Sequence, residues 1–419
     1  MAKKQYTETV SVLHPICCGL DVHKDKISAC IIKEKESGTY IEVAEFGCFT
    51  EDILKLREWL IDMQCPIVAM ESTGIYWRPI HNVLEGYIKI MLINARHFKN
   101  VPGRKTDIGD SQWLAELLRY GLLKGSFIPP KEVRQWRDLT TLRKHYVKTE
   151  SDFKRRVQKL FETANIKIDS VASDIFGVSG RNLMKLILSK PTEDITQKDV
   201  NDCLRGQLTN KGKEFLKAVK GFFTDHHRLI LKTYLETIDH CQATIKDIDV
   251  QLQKVMSDHQ DILDRLQAVP GIGFVAATTI LSFIGTSLDD FANAAALCSW
   301  CGVCPGNNES AGKRKSGRSP VYSHPLKTLL VEVAWAAIKV KDSYYKEKYY
   351  RLKARRGAKR AIIAIAHRIL KAVFHIVKEG AEFKELGANY LDKLNREITI
   401  FRLRKQAERF GFELVPKAA

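Results

Sequence analysis

The N-terminal part of the chain alternates short apolar runs with helix-period stripes. Positions 16–21 form an apolar run ending in Asp21, and 27–33 and 40–49 read as two further strands, so that the three suit a meander. In 51–63, Ile53, Leu56 and Leu60 recur at helical spacing, and Pro66 then opens the run 67–70, which ends at Glu71. Strand, helix, strand in that order implies a parallel crossover. A turn at 72–74, a helix over 75–85 and a fifth strand over 87–93 follow. Three strands and then alternating helix and strand predict an α/β fold of the ribonuclease H type.

The next helix, over 105–120, carries the first chemical signal. Asp107 and Asp110 fall on one helical stripe, which Leu114 and Leu117 continue. Two carboxylates at the start of an apolar face cost desolvation unless a cation meets them, and a divalent metal can hold both. Helix-start chemistry, with Thr106 as cap and the acids facing the macrodipole, would also explain them. In open parallel sheets functional groups gather at the carboxyl ends of strands. Asp21 and Glu71 end two strands expected to pair, so four carboxylates are expected at one place, a set suited to two divalent ions and phosphoryl transfer.

After Pro129-Pro130 the strand signal ends and charged helices take over. A long helix is expected from 131 to 164, followed by a mixed region, 165–225, to which no function attaches. From Leu231 through Tyr234, Ile238, Cys241, Ile245, Ile248, Leu252, Val255, His259 and Ile262 to Leu266 the apolar steps alternate three and four, which predicts a coiled coil. Such helices support an oligomer without setting its order. Val269-Pro-Gly271-Ile-Gly273 then separates two apolar helical runs, a pattern resembling the helix-hairpin-helix element, in which glycines let backbone amides approach phosphates.

Charge changes the picture of partners. The 419 residues include 67 Lys and Arg against 49 Asp and Glu, a net charge of +18 that points to a polyanion, with nucleic acid foremost. No apolar run is long enough to span a bilayer and the first residues lack the apolar core of a secretory signal, so a cytoplasmic, nucleoid-associated protein with no membrane partner is expected. The ten cysteines suit that compartment: Cys17, Cys18, Cys30, Cys48 and Cys65 lie in apolar contexts, and Cys298-x-x-Cys301-x-x-Cys304 lacks a nearby fourth ligand for an iron–sulfur cluster.

A second chemical site follows at 302–318. A serine in a loop among Gly, Asn and basic side chains brings a hydroxyl against a phosphate while Lys313, Arg314, Lys315 and Arg318 offset the anion. Chemistry alone leaves Ser310, Ser316 and Ser319 open as nucleophiles, and a basic loop that only touches phosphates remains the alternative. Further on, 341–380 holds twelve Lys or Arg against three acids, interleaved with Tyr344, Tyr345, Tyr349 and Tyr350. That mixture suits stacking and phosphate binding on RNA or unpaired DNA, with Arg355, Arg356 and Arg360 as expected contacts.

Asp21-Val-His-Lys24, Glu71-Ser-Thr-Gly74 and Lys105-Thr-Asp107-x-x-Asp110 resemble the Asp-Glu-Asp-Asp tetrad of the RuvC-like domain in DEDD-type insertion-sequence transposases, the bridge-RNA-guided recombinases. Pro305-x-Asn-Asn-Glu-Ser310-x-Gly-Lys313 resembles the serine motif of that family's transposase domain. The resemblance implies a RuvC-like domain over 1–130, a helical coiled-coil domain over 131–265 with the 165–225 insertion, a mostly α transposase domain over 266–380 and a helical tail over 381–419. It further implies Asp21, Glu71, Asp107 and Asp110 as catalytic ligands of Mg²⁺, with Mn²⁺ as substitute, and Ser310 as the nucleophile of a phosphoserine intermediate. Lys24, Arg104, Lys105, Gly271 and Gly273 join the basic residues above as expected nucleic-acid contacts. Expected partners are donor and target DNA, a guide RNA, and further copies of the chain in a dimer or tetramer. Tyr322-Ser-His-Pro-Leu-Lys327 departs from the family, which commonly has a Gly-Asn turn there and a later arginine, a charge Lys327 would supply. Two other functions fit the residues: a RuvC-like structure-specific endonuclease acting through metal-activated water, and a non-catalytic nucleic-acid-binding scaffold.

Overall fold

The protein is described by a computed structural model covering residues 11–36, 38–72, 74–94, 109–306, 308–310, 313–316, 324–394 and 396–415, with backbone alone at 308–310, 313–316 and 397–399. The chain forms two units, Met1–Ile128 and Pro129–Ala419.

The first unit is built on five strands: β1 (Ile16–Val22), β2 (Lys26–Lys35), β3 (Gly38–Gly47), β4 (Ile67–Glu71) and β5 (Lys89–Ile93). Their spatial order is β3-β2-β1-β4-β5, with β1, β2 and β3 antiparallel to one another and β4 and β5 parallel to β1. This is the meander and crossover that the apolar pattern predicts. The central strands β1 and β4 are apolar at nearly every position because both of their faces are covered. Helices α1 (Thr50–Asp62) and α2 (Trp77–Leu84) cover one face, packing Ile53, Leu56, Leu60, Ile80 and Leu84 on Cys18, Leu20, Val68 and Met70. Helix α3 (Asp110–Arg119) covers the other, with Ala115 and Leu118 against Cys17, Cys30, Ile67 and Ala69.

Among the described residues the second unit is helical apart from one small hairpin. Helix α4 (Lys131–Thr163) is followed by four short helices, α5 (Ile168–Val171), α6 (Val178–Ser189), α7 (Gln197–Cys203) and α8 (Gly212–Val219), and by the long α9 (Asp225–Val255). The short helices are a small globular cap: Ile168, Leu183, Met184, Ile187, Val200 and Phe215 share one core with Val157 and Phe161 of α4 and Leu231 and Leu235 of α9. Below it α4 and α9 lie side by side. Phe153 meets Tyr234 edge to face at 5.5 Å, Gln242 donates to Glu150 at 2.8 Å, and Arg143 forks onto both carboxylate oxygens of Asp249 at 2.6 and 3.1 Å.

The uninterrupted heptad stripe expected from Leu231 to Leu266 is broken. Helix α9 ends at Val255, and a 3₁₀ turn, Ser257–His259, leads into α10 (Gln260–Gln267). Burial explains the break: Met256 is fully buried while Val255, a seam position in the expected stripe, is 40% exposed. His259 leaves the seam to set its ring edge-on against buried Trp136, 5.1 Å away.

Beyond it come α11 (Phe274–Ile284), α12 (Ala294–Trp300), the strands β6 (Asn308–Ser310) and β7 (Lys313–Ser316), and then α13 (Pro325–Ala337), α14 (Tyr344–Arg356), α15 (Ala358–Glu379), α16 (Tyr390–Leu394) and α17 (Arg396–Arg409). The amphipathic α15 buries Ile362, Ile365, Ile369 and Val373 at helical spacing and is the core helix of this region. Among the described residues no helix is long and apolar enough to cross a membrane.

Candidate active site

Strand parity determines which side of the sheet each carboxylate faces. Cys18 and Leu20 of β1, and Val68 and Met70 of β4, lie under α1 and α2. Cys17, Ile67 and Ala69 lie under α3. Asp21 and Glu71 therefore belong to the α3 face. The parallel register pairs Leu20 with Met70, and one further step places Asp21 beside Glu71 at the carboxyl ends of their strands.

Helix α3 brings the third carboxylate. It runs antiparallel to β1, since Ser111 in its first turn lies on Gly19 whereas Ala115, one turn later, accepts a bond from the Cys17 thiol at 3.4 Å. Ser28, the β2 partner of Asp21, meets Ser111 hydroxyl to hydroxyl at 3.1 Å. Asp110 is the first residue of α3, at the end of the helix that lies toward the carboxyl ends of β1 and β4. The positive end of the helix dipole favours a negative charge there. Asp21 is also held from solvent by His23, whose Nε2 lies 3.1 Å from its Oδ2.

This close approach depends on Gly19. A Cβ at that position would sit 2.1 Å from the carbonyl oxygen of Ser111 and 2.6 Å from the amide of Ala115. Neither Gly19 nor the Ser28–Ser111 pair stands out in a reading of motifs, although a glycine inside an apolar strand is the signal for close backbone approach. Asp107, together with Arg104 and Lys105, lies outside the described residues. Among the described residues no three His, Cys, Asp or Glu side chains are gathered closely enough to hold an ion. Asp21, Glu71 and Asp110 offer carboxylate oxygens, the donors that hard divalent cations take, on one face of the sheet without closing on a single point.

The neighbouring cysteines play no part in such a site. Burial pushes the Cys17 thiol up to about 12 and those of Cys30 and Cys65 to about 11, so they stay protonated and inert. All ten cysteines are free, and burial likewise raises Cys298 and Cys301, both fully buried, to about 12.

In the second unit Ser310 is not in an irregular loop, as the glycines and charges suggest, but in a hairpin. Strands β6 and β7 pair antiparallel with Ser310 opposite Lys313, Glu309 opposite Arg314 and Asn308 opposite Ser316, with a register shift between Asn308 and Glu309. Only Ala311 and Gly312 separate Ser310 from Lys313, the length of a tight two-residue hairpin connection. Ser310 is the last residue of β6, in register with a lysine. Lys315 follows on β7, while Arg318 and Ser319 lie outside the described residues.

His324, within the stretch that departs from the serine-motif resemblance, has a structural task. His324 is the N-cap of α13, its Nδ1 accepting from the Leu326 amide at 3.2 Å, and its ring lies 4.2 Å from that of Trp300. Burial, aided by the Arg137 guanidinium, pulls the imidazole down to about 4, so it is a neutral acceptor near neutral pH. Lys327 lies in the first turn of the same helix.

The expected nucleic-acid contacts divide. Lys24, in the β1–β2 turn beside Asp21, is exposed, as are Arg355, Arg356 and Arg360 around Gly357, which separates α14 from α15 with φ +78°. Gly273 is exposed at the N-cap of α11, with nothing within 4 Å of where a Cβ would sit. Gly271 serves packing instead: at φ +87°, a Cβ there would meet the Val333 carbonyl of α13 at 2.4 Å. The tyrosines also differ from expectation. Tyr344, Tyr345 and Tyr349 are buried, Tyr349 against Trp335 at 5.8 Å, and only Tyr350 is exposed. With Tyr344 and Tyr345 at the start of α14, and Tyr349 one turn on, the helix turns these rings inward rather than onto an exposed stripe.

Two family models match the chain. A DEDD transposase model of the IS110 type matches residues 18–166, which include Asp21, Glu71, Asp107 and Asp110. A model described as transposase, IS116/IS110/IS902 family, matches residues 263–351, which include Ser310. No curated protein matches the chain.

Proposed function

From a chain that belongs to the IS116/IS110/IS902 family of transposases, and is thus a DNA transposase or recombinase, we propose a serine recombinase that exchanges strands under the direction of a guide RNA. What supports this reading is that one chain carries both acids on the α3 face of the first sheet and, in its second unit, a serine in register with a lysine.

In the proposed reaction the Ser310 Oγ attacks a DNA phosphorus. The serine–phosphorus bond forms as the bond from phosphorus to one sugar oxygen breaks, and that oxygen leaves as a hydroxyl after taking up a proton. A hydroxyl of the partner strand then attacks the phosphoserine, restores a phosphodiester and frees the serine. Lys313, in register with Ser310, offsets the phosphate charge, with Arg314 and Lys315 along the same strand. Asp21, Glu71 and Asp110, with Asp107, would hold Mg²⁺, or Mn²⁺ in its place. Such ions stabilise negative charge on phosphoryl oxygens and orient the attacking and leaving groups. His23 keeps Asp21 oriented from the solvent side, and the dipole of α3 favours the negative charge of Asp110 at its start.

In this reading a bridge RNA reads donor and target DNA by base pairing, and the protein contributes backbone and shape contacts through its basic surface. Further copies of the chain, as a dimer or tetramer, would bring two DNA duplexes together. The test is Ser310→Ala with a labelled donor–target pair. Loss of the covalent protein–DNA product with retention of DNA binding is expected. Cleavage and joining at the wild-type rate would replace this mechanism with water-mediated hydrolysis at the carboxylates. Sequencing RNA that co-purifies with the protein tests the guide: an abundant RNA encoded beside the gene is expected, and its absence would remove the guided step.

A further inference from the structure

Two neighbouring cavities in the C-terminal region are walled by α14 and by the segment that follows α15. The first, about 320 Å³, is lined by Lys348, Arg351, Leu352 and Arg355 of α14, with Leu391 of α16 and Arg402 of α17. The second, about 340 Å³, is lined by Tyr344 and Tyr345 of α14, Arg368 of α15, and Phe383 and Tyr390 beyond it. Both volumes are of ligand-pocket size. Tyr390 and Leu391 are consecutive, and Tyr344, Tyr345 and Lys348 share one turn of α14, so the two linings neighbour each other along both elements.

The two differ in chemistry. Four cations converge on the first, at Lys348, Arg351 and Arg355 because positions three and four apart share a helix face. The available acids do not neutralise them. Glu347 and Asp392 both pair with Arg351, each at 2.7 Å, and among the described residues no carboxylate pairs with Lys348, Arg355 or Arg402. Partial burial and the adjacent Arg368, Arg355 and Arg351 pull the Lys348 ammonium below its ordinary range, a sign of unrelieved repulsion. A fold gains nothing from cations held together in this way unless an anion joins them. The second cavity joins aromatic rings to charges of both signs: the Tyr345 ring stacks on Phe383 at 6.2 Å and 19°, Tyr344 meets Tyr390 edge to face at 5.8 Å, and Glu382, Glu385, Lys371 and Lys384 also line it. Its rim carries Arg368, whose guanidinium lies 5.8 Å from the Tyr344 ring.

We propose that the two cavities together seat one unpaired nucleotide of a nucleic-acid strand, its phosphate among Lys348, Arg355 and Arg402 and its base in the aromatic cavity beside Tyr390. The inference extends the nucleic-acid reading above but makes no use of Ser310. An unpaired nucleotide fits because its base is free to leave the strand and stack, whereas a duplex keeps its bases inside and offers phosphate alone. The apolar floor of Leu352 and Leu391 suits the sugar between them.

The test uses the full chain and fluorescein-labelled oligothymidylate, with a duplex of equal length for comparison. Lys348→Glu and Arg355→Glu are expected to weaken single-strand binding at least tenfold, and Lys348→Gln to lower the slope of log affinity on log salt by about 1. Tyr390→Ala is expected to cost single-strand binding about tenfold at unchanged salt slope. Duplex binding should move less than about twofold in Tyr390→Ala. Arg396→Glu, an exposed charge reversal outside the cavities, is the control for net charge. Circular dichroism and melting temperature confirm that each variant is folded.

Single-strand affinity unchanged in Lys348→Glu and Arg355→Glu, or reduced equally by Arg396→Glu, would overturn the proposal. So would a loss in Tyr390→Ala that is equal for single strand and duplex. ATP competing for these cavities more strongly than the oligonucleotide would assign them to a free nucleotide and likewise overturn it. Because every readout is binding, Ser310→Ala can fail in strand exchange without touching this result, and the reverse also holds.

Discussion

Gly19 and Ser111 touch backbone to backbone: a Cβ on Gly19 would lie 2.1 Å from the Ser111 carbonyl oxygen. This contact fixes how deeply α3 sits on β1, and so how far Asp110 is from Asp21 and Glu71. Gly19→Val forces the helix off the strand while leaving all three acids present. Overpacking of this kind typically costs about 1–3 kcal/mol, so a urea midpoint shifted accordingly is expected. Strand exchange should fall by more than the lost stability explains, and Mg²⁺ affinity by calorimetry should weaken at least tenfold. Wild-type Mg²⁺ affinity in a folded Gly19→Val protein would separate α3 from the metal reading.

His324 predicts an acid-sensitive second unit. Its ordinary pKa of 6.5 falls to about 4 in the folded chain, so on acidification the unfolded chain takes up a proton that the folded one refuses. The stability His324 contributes is therefore present above pH 6.5 and is lost as pH falls from 6.5 toward 4. The full loss amounts to about 3 kcal/mol at most. His324→Asn keeps an acceptor for the Leu326 amide and removes the titration. Its urea midpoint should be flatter between pH 4 and 6.5 than that of the wild type. Equal slopes would assign the acid loss to other groups.

The sequence showed the first unit well and the second poorly, for reasons visible at single residues. Asp21 and Glu71 were legible because each closes an apolar run, and strand parity is a strict period of two. Gly19 was not, because a glycine in a strand becomes informative only when the backbone it must admit is known. The stripe from Leu231 to Leu266 read as one helix because a three-four alternation says nothing about local endings. Met256, off the stripe and fully buried, marks where packing overrode it. Tyr344, Tyr345 and Tyr349 among lysines and arginines looked like a stacking surface, since composition cannot tell which side of a helix faces the core.

The tyrosines give a direct comparison. Tyr349 is buried against Trp335, whereas its neighbour Tyr350 is 52% exposed. Tyr349→Ala should destabilise the second unit by about 3–5 kcal/mol, the cost of emptying an aromatic core position. Tyr350→Ala should leave the urea midpoint unchanged within about 0.5 kcal/mol. If Tyr350 stacks on nucleic acid, its alanine variant loses single-strand affinity at wild-type stability. The opposite pattern, a stable Tyr349→Ala, would mean that the ring is not a core element.

Arg137 couples packing to the titration of His324. Its Nε and one Nη donate to the carbonyls of Ser282 and Phe283, both at 3.0 Å, where α11 ends and its last carbonyls lack helical partners. The guanidinium also lies over the Phe283 ring at 4.8 Å and helps depress the imidazole of His324. Arg137→Lys keeps the charge and loses the fork, so it should cost about 1–3 kcal/mol at neutral pH with the wild-type pH slope retained. Arg137→Met loses both. It should show a similar cost at neutral pH and a weaker dependence between pH 4 and 6.5, because the folded-state pKa of His324 rises toward 6.5 once the neighbouring cation is gone. Urea titrations of the two variants at pH 7 and pH 5 separate these effects. The same slope in Arg137→Met as in Arg137→Lys would mean that burial alone, without the guanidinium, holds His324 neutral.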